Sequence, residues 1–87
     1  MADERSVDVV VYIFEDRVEI WSHIGMRRFG WWKNVLRRYG CLYMRGYYAC
    51  RPHDIYDFLS ALIMFFHRCN LSAKVINAKT KEVVHVV

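Results

Sequence analysis

Two runs of strict alternation, 7–14 and 18–24, restrict the first quarter of this chain to a β-hairpin. In the first, Val7, Val9, Val11 and Ile13 fall on one side, and Asp8, Val10, Tyr12 and Phe14 on the other. In the second, Val18, Ile20, Ser22 and Ile24 oppose Glu19, Trp21 and His23. Successive side chains of a strand point to opposite faces, so each run carries one aliphatic side and one mixed, aromatic side. A two-residue loop at Asp16-Arg17 would set Ile13 opposite Ile20 and Tyr12 opposite Trp21, and both strands then agree on the apolar face. Asp-Arg is not among the Gly-containing turns that favour such a loop, which leaves its length open.

The spacing predicts a helix over 26–39, where Phe29, Trp32, Leu36 and Tyr39 recur at three- and four-residue intervals with Val35 beside them. Arg37 and Arg38 suit the negative end of its dipole, and Gly40 its cap. Gly30 costs about 1 kcal/mol relative to Ala, so the first turn is expected to be irregular. Period two returns over 41–51. There Leu42, Met44, Tyr48 and Cys50 form the apolar side of a strand, and Tyr43, Arg45, Tyr47 and Arg51 the other. Pro52 ends that strand and opens a second helix, 54–68, with Asp54 and Asp57 at its positive end, His67 and Arg68 at its negative end, and Asn70 suited to a left-handed cap. This helix is apolar nearly all round, which predicts two covered sides. The tail, 72–87, reads as two short strands around Ala78-Lys79-Thr80-Lys81. The expectation is a single α+β domain, 1–87, in the order ββαβαββ. Its sheet should be four- or five-stranded and largely antiparallel, with the two helices packed on one face.

Composition agrees with a folded domain of one core: 55% of residues are hydrophobic, 16% are aromatic, and only one Pro and four Gly interrupt the pattern. No apolar run reaches the roughly 18 residues that span a bilayer, so no membrane partner is expected. The leading Met-Ala-Asp-Glu-Arg-Ser is charged rather than basic and then apolar, unlike a secretory signal. Cys41, Cys50 and Cys69 are an odd set without framework spacing, which points to reduced thiols in an intracellular, cytoplasmic protein. Arg outnumbers Lys nine to four and Gln is absent, a bias that points to a thermophilic source.

Charge is distributed unevenly. Residues 1–19 sum to −4, while residues 20–53 hold Arg27, Arg28, Lys33, Arg37, Arg38, Arg45 and Arg51 without any acid and sum to +7. Within the first helix, Arg27, Trp31, Asn34 and Arg38 share a stripe away from Phe29, Trp32 and Leu36. Arginine forks match phosphate oxygens, and any base offers a π-face to Trp, so the stripe suits phosphate contacts with stacking. The bland reading is a solvated helix face with Trp31 packed on a neighbour.

The sheet face away from the helices would gather Tyr12, Phe14, Trp21, His23, Tyr43, Arg45, Tyr47 and Arg51. Aromatics alternating with Arg form the stacking platform used by readers of single-stranded RNA. They are equally enriched at protein interfaces. A third arrangement folds the terminal hairpin over that face. Arg45-Gly46-Tyr47 resembles the first three positions of the basic-Gly-aromatic strand of the RNA-recognition-motif family. Tyr48 then stands where that family has a small residue, and Ala49 where it has a second stacking aromatic. The strand–strand–helix order ahead of it also departs from the family's strand–helix–strand, so the likeness is one of fold-level analogy.

Cys50-x-x-His53 and His67-x-Cys69 offer zinc-type donors, but the helix between them is about 22 Å long at 1.5 Å per residue. One tetrahedral site cannot span that, so no metal or other cofactor is expected. Cys50, His53 and Asp54 meet at a strand-to-helix junction, yet neighbours so close in sequence rarely converge on one reacting atom. No phosphate-binding Gly-rich loop or paired-carboxylate motif is present, and no enzymatic activity is expected. The leading expectation is a small non-enzymatic module that binds RNA or single-stranded DNA. Arg27, Arg28, Lys33, Arg37, Arg38, Arg45 and Arg51 would neutralise phosphates, and Trp31, Tyr43 and Tyr47 would stack. The alternative is a homodimer, or larger assembly, built on the aromatic sheet face or the second helix.

Overall fold

The computed structural model describes residues 7–22 and 33–87. Among these residues the chain runs β1 (Val9–Ile13), β2 (Val18–Ser22), α1 (Lys33–Arg38), β3 (Cys41–Tyr43), β4 (Tyr47–Cys50), α2 (Ile55–Arg68), β5 (Ala73–Asn77) and β6 (Val83–Val86). The strands form one sheet in the order β3-β4-β2-β1-β5-β6. The α+β class is as expected, but the sheet has six strands rather than four or five. It is also mixed, because β5 returns parallel to β1. No helix among the described residues is long and apolar enough to cross a membrane.

The first two strands pair as a hairpin in a register two residues away from the expected one. Ile13 faces Val18 and Tyr12 faces Glu19. The Phe14 N–H donates to the Arg17 carbonyl at 2.8 Å, so Glu15 and Asp16 form the turn. A shift by two keeps every side chain on its face. It also sets Arg17 beside Glu19, where its Nε donates to Oε2 at 2.7 Å.

Val9, Val11, Val18, Ile20, Tyr48, Cys50, Ala73 and Val75 form the sheet side of the core, and Leu36, Phe58, Leu62, Phe65 and Phe66 the helix side. Both helices therefore lie on one face of the sheet. The Asp54 carboxylate caps α2, accepting from the Tyr56 and Asp57 N–H groups at 3.0 and 3.1 Å. Asn70 takes φ 55°, the left-handed residue expected after the helix. The expected second covered side of α2 is not there. Phe58, Leu62, Phe65 and Phe66 are buried, whereas Tyr56 and Met64 are exposed. The parallel strands start in register because Asp8 and Ser72 exchange bonds: the Asp8 N–H to Ser72 Oγ at 3.0 Å, and the Ser72 N–H to Asp8 Oδ2 at 3.1 Å.

The run 41–51 is two strands rather than one. The Met44 N–H donates to the Tyr47 carbonyl at 2.7 Å, and Gly46 takes φ 89°, so the chain turns at Arg45-Gly46. A period-two reading carried through a turn assigns the two arms to inconsistent faces. Hence Tyr43 pairs with Tyr48, on the helix side, and Leu42 with Ala49. The turn also removes the likeness to the RNA-recognition-motif strand, since Arg45 and Gly46 lie outside both β3 and β4.

Cys41 and Cys50 face each other across this hairpin with Cα atoms 3.9 Å apart and form a disulfide, which corrects the expectation of reduced thiols. Only Cys69 remains free. The two terminal strands form as expected, with the Asn77 Oδ1 accepting from the Lys79 and Thr80 N–H groups at 3.0 and 3.2 Å. They extend the sheet beside β1 instead of folding over its face.

Candidate nucleic-acid interface

Three basic residues of the acid-free stretch, Arg37, Arg38 and Arg51, meet at one end of the sheet. The last turn of α1 carries Arg37 and Arg38. Gly40, at φ 74°, lets the chain turn sharply from the helix into β3. The Arg51 N–H then donates to the Gly40 carbonyl at 3.2 Å, continuing the β3–β4 ladder one step past the disulfide. This brings the end of α1 beside the end of β4. Arg37, Arg38, Arg51 and His53 accordingly line a single hollow of about 340 Å³.

The acids in the same hollow are engaged locally. Asp54 caps α2. Asp57 accepts from the Tyr39 hydroxyl at 3.1 Å. Burial raises the pKa of that hydroxyl above its ordinary value, and the hydrogen bond and negative charge of Asp57 raise it further. Tyr48 is raised as well, by burial first and then by Tyr43, while Arg37 opposes the shift. None of the guanidinium groups of Arg37, Arg38 and Arg51 is ion-paired with a described residue, and all three residues are exposed. An anion with several oxygens would find three fork-shaped donors there.

The other expected contacts are dispersed. Lys33 stands one helical turn before Arg37, on the same stripe of α1, but does not line the hollow. Arg45 sits at the hairpin turn, beyond the far end of β4 from Arg51, with about 13 Å of strand between Tyr47 and Arg51 at 3.3 Å per residue. Tyr43 lies on the edge strand, edge-on to Tyr48 at 5.2 Å. Tyr47 is on the opposite face of the sheet, stacked on Trp21 at 4.3 Å with planes 11° apart. Arg27, Arg28 and Trp31, with His23, lie outside the described residues. The structure thus unites Arg37, Arg38 and Arg51, separates Arg45 from them, and puts Tyr43 and Tyr47 on different faces.

The aromatic face and the basic hollow are parted by an acidic turn. A second hollow between them is lined by Glu15 and Asp16 on one side and Arg51 and His53 on the other. Sequence reasoning missed His53 as a member of the basic cluster, and missed the bond between Cys41 and Cys50. A usable signal was the symmetry of the two cysteines about the Arg45-Gly46 turn. Since the Cys50 sulfur is bonded to Cys41, it is neither a thiolate ligand nor a nucleophile in this state. No group of three or more metal-ligating side chains occurs among the described residues.

No family model, curated protein or solved structure matches the chain.

Proposed function

We propose that the chain is a small nucleic-acid-binding module that holds the phosphate backbone of RNA or single-stranded DNA at the hollow of Arg37, Arg38 and Arg51. The observation that carries this reading is the convergence on one concavity of three exposed guanidinium groups, ion-paired with no described residue, from the end of α1 and the residue after β4. Lys33 extends the positive strip along α1. Backbone contacts of this kind give affinity without sequence preference. Stacking plays a smaller part than the sequence suggested, because Tyr47 is already stacked on Trp21. The test is fluorescence anisotropy with a labelled single-stranded RNA in low salt. The Arg37→Ala/Arg38→Ala/Arg51→Ala protein should bind at least tenfold more weakly while keeping the wild-type circular dichroism. Equal affinity in the two proteins sinks the reading.

Self-association is favoured by a separate observation. The strand β6 closes one edge of the described sheet, and its Val83, Val84 and Val86 are 50–60% exposed. An exposed apolar edge strand is a template for pairing with another chain. A homodimer joined at this edge would double the basic surface, and Val84→Lys should return it to monomer in sedimentation.

We also propose that the protein works inside the cell and that its source is thermophilic. A buried intracellular disulfide fits that pairing, because hyperthermophiles retain such bonds in the cytoplasm.

A further inference from the structure

The sheet face away from the helices holds a hollow of about 470 Å³, within the size range of small-molecule sites. Its apolar lining includes Val10 and Ile76, which are 1% and 7% exposed. Phe14 and Trp21 supply aromatic walls, with Tyr12 beside them.

One ion pair sets both walls. The Glu19 carboxylate is 8% exposed as a residue, an expensive place for a charge unless each oxygen is engaged. Oε2 accepts from Arg17 Nε at 2.7 Å, and Oε1 accepts from Trp21 Nε1 at 3.0 Å. The same Arg17 guanidinium stands 4.0 Å from the centre of the Phe14 ring. Arg17 therefore holds Phe14 directly and holds Trp21 through Glu19. The stack with Tyr47 fixes the Trp21 plane from the neighbouring strand. Walls fixed before a ligand arrives save the entropy that binding would otherwise spend on ordering them.

The charge of the hollow points to the ligand. Glu19 lines the hollow with both carboxylate oxygens already held, by Trp21 and by Arg17, which stands behind the lining and also pairs with Asp16 at 2.8 Å. Lys81, which also lines the hollow, is ion-paired with no described residue, so its ammonium is the charged group of the lining left open to a ligand. We propose that this hollow binds a small planar aromatic monoanion, its ring against Trp21 and Phe14 and its carboxylate on Lys81. The site is independent of the phosphate-binding hollow, from which the Glu15-Asp16 turn separates it.

The test is isothermal titration of 2-naphthoate, with 2-naphthalenemethanol as a neutral ring of the same size. Wild-type protein should bind the carboxylate saturably, one to one. Lys81→Met should weaken the carboxylate roughly three- to tenfold, the loss of an exposed ion pair at the strong end of its range. It should leave the alcohol unchanged. Trp21→Leu should weaken both, and a wild-type far-UV circular dichroism spectrum would show that the variant is folded. The Arg37→Ala/Arg38→Ala/Arg51→Ala protein should bind naphthoate as well as wild type does. Absence of saturable binding overturns the proposal. So does a Lys81→Met protein with undiminished preference for the carboxylate, or loss of binding in the triple arginine variant.

Discussion

Gly40 and Arg51 meet backbone to backbone: the Arg51 N–H bonds to the Gly40 carbonyl at 3.2 Å, and a Cβ on Gly40 would stand 3.0 Å from the Arg51 carbonyl oxygen. That contact places the end of α1 against the end of β4. Gly40→Ala faces both a left-handed backbone at φ 74° and a collision with main chain that has no flexible end to move. The expected loss is about 2 kcal/mol, at the upper end of the left-handed penalty. Gly46→Ala, with φ 89° but nothing within 4 Å, should lose about 1 kcal/mol. Urea unfolding of the two variants compares them directly, and Gly40→Ala should also weaken RNA binding because Arg51 shifts.

The disulfide closes a loop with a sequence separation of 9. Loop-closure entropy for such a span contributes about 2–3 kcal/mol. The Cys41→Ser/Cys50→Ser protein should unfold at correspondingly lower denaturant, and dithiothreitol should lower wild type toward it without affecting the variant. A thiol assay on unreduced, denatured wild type should find Cys69 alone.

Alkaline pH should act through Tyr39 and Tyr48. Both hydroxyls are raised above their ordinary value in the folded protein, mainly by burial. A raised folded pKa means that the stabilisation is complete below the unfolded value, about 10 for tyrosine, and is lost as pH climbs through the folded one. Stability should therefore be flat with respect to these groups at neutral pH and fall above about pH 10. Tyr39→Phe should remove part of that fall. Tyrosinate absorbance and urea midpoints, measured together across the alkaline range, check the coupling.

Capping can be tested at one residue. Asp54→Ala leaves the Tyr56 and Asp57 N–H groups without their acceptor and should cost about 1 kcal/mol. Asp54→Asn retains an acceptor and should lose much less, which separates the hydrogen bonds from the charge at the helix end.

Local patterns in the sequence were the legible part of the fold. The alternation of Val9, Val11 and Ile13 against Tyr12 identified the correct faces of β1, and an even register error left those faces intact. Asp54 and Asn70 marked the limits of α2 through their own side-chain and backbone chemistry. The parallel pairing of β1 with β5 joins segments 64 residues apart, and no local period reports it. The β3–β4 turn was hidden because Leu42, Met44, Tyr48 and Cys50 keep an even spacing across it. For the site, the cluster of Arg37, Arg38 and Arg51 depended on that turn and on Gly40, whereas the expected placing of Tyr43 and Tyr47 on one face of the sheet failed for the same reason.

The central claim is that Arg37, Arg38 and Arg51 neutralise phosphates, and the salt dependence of RNA binding tests it most directly. Three neutralised phosphates on a single strand give a slope of log affinity against log salt of about −2, at about −0.7 for each. Wild type should show at least that slope, and Arg38→Ala should reduce its magnitude by about 0.7. A flat salt response, no binding in low salt, or an unchanged slope in Arg38→Ala would contradict the account.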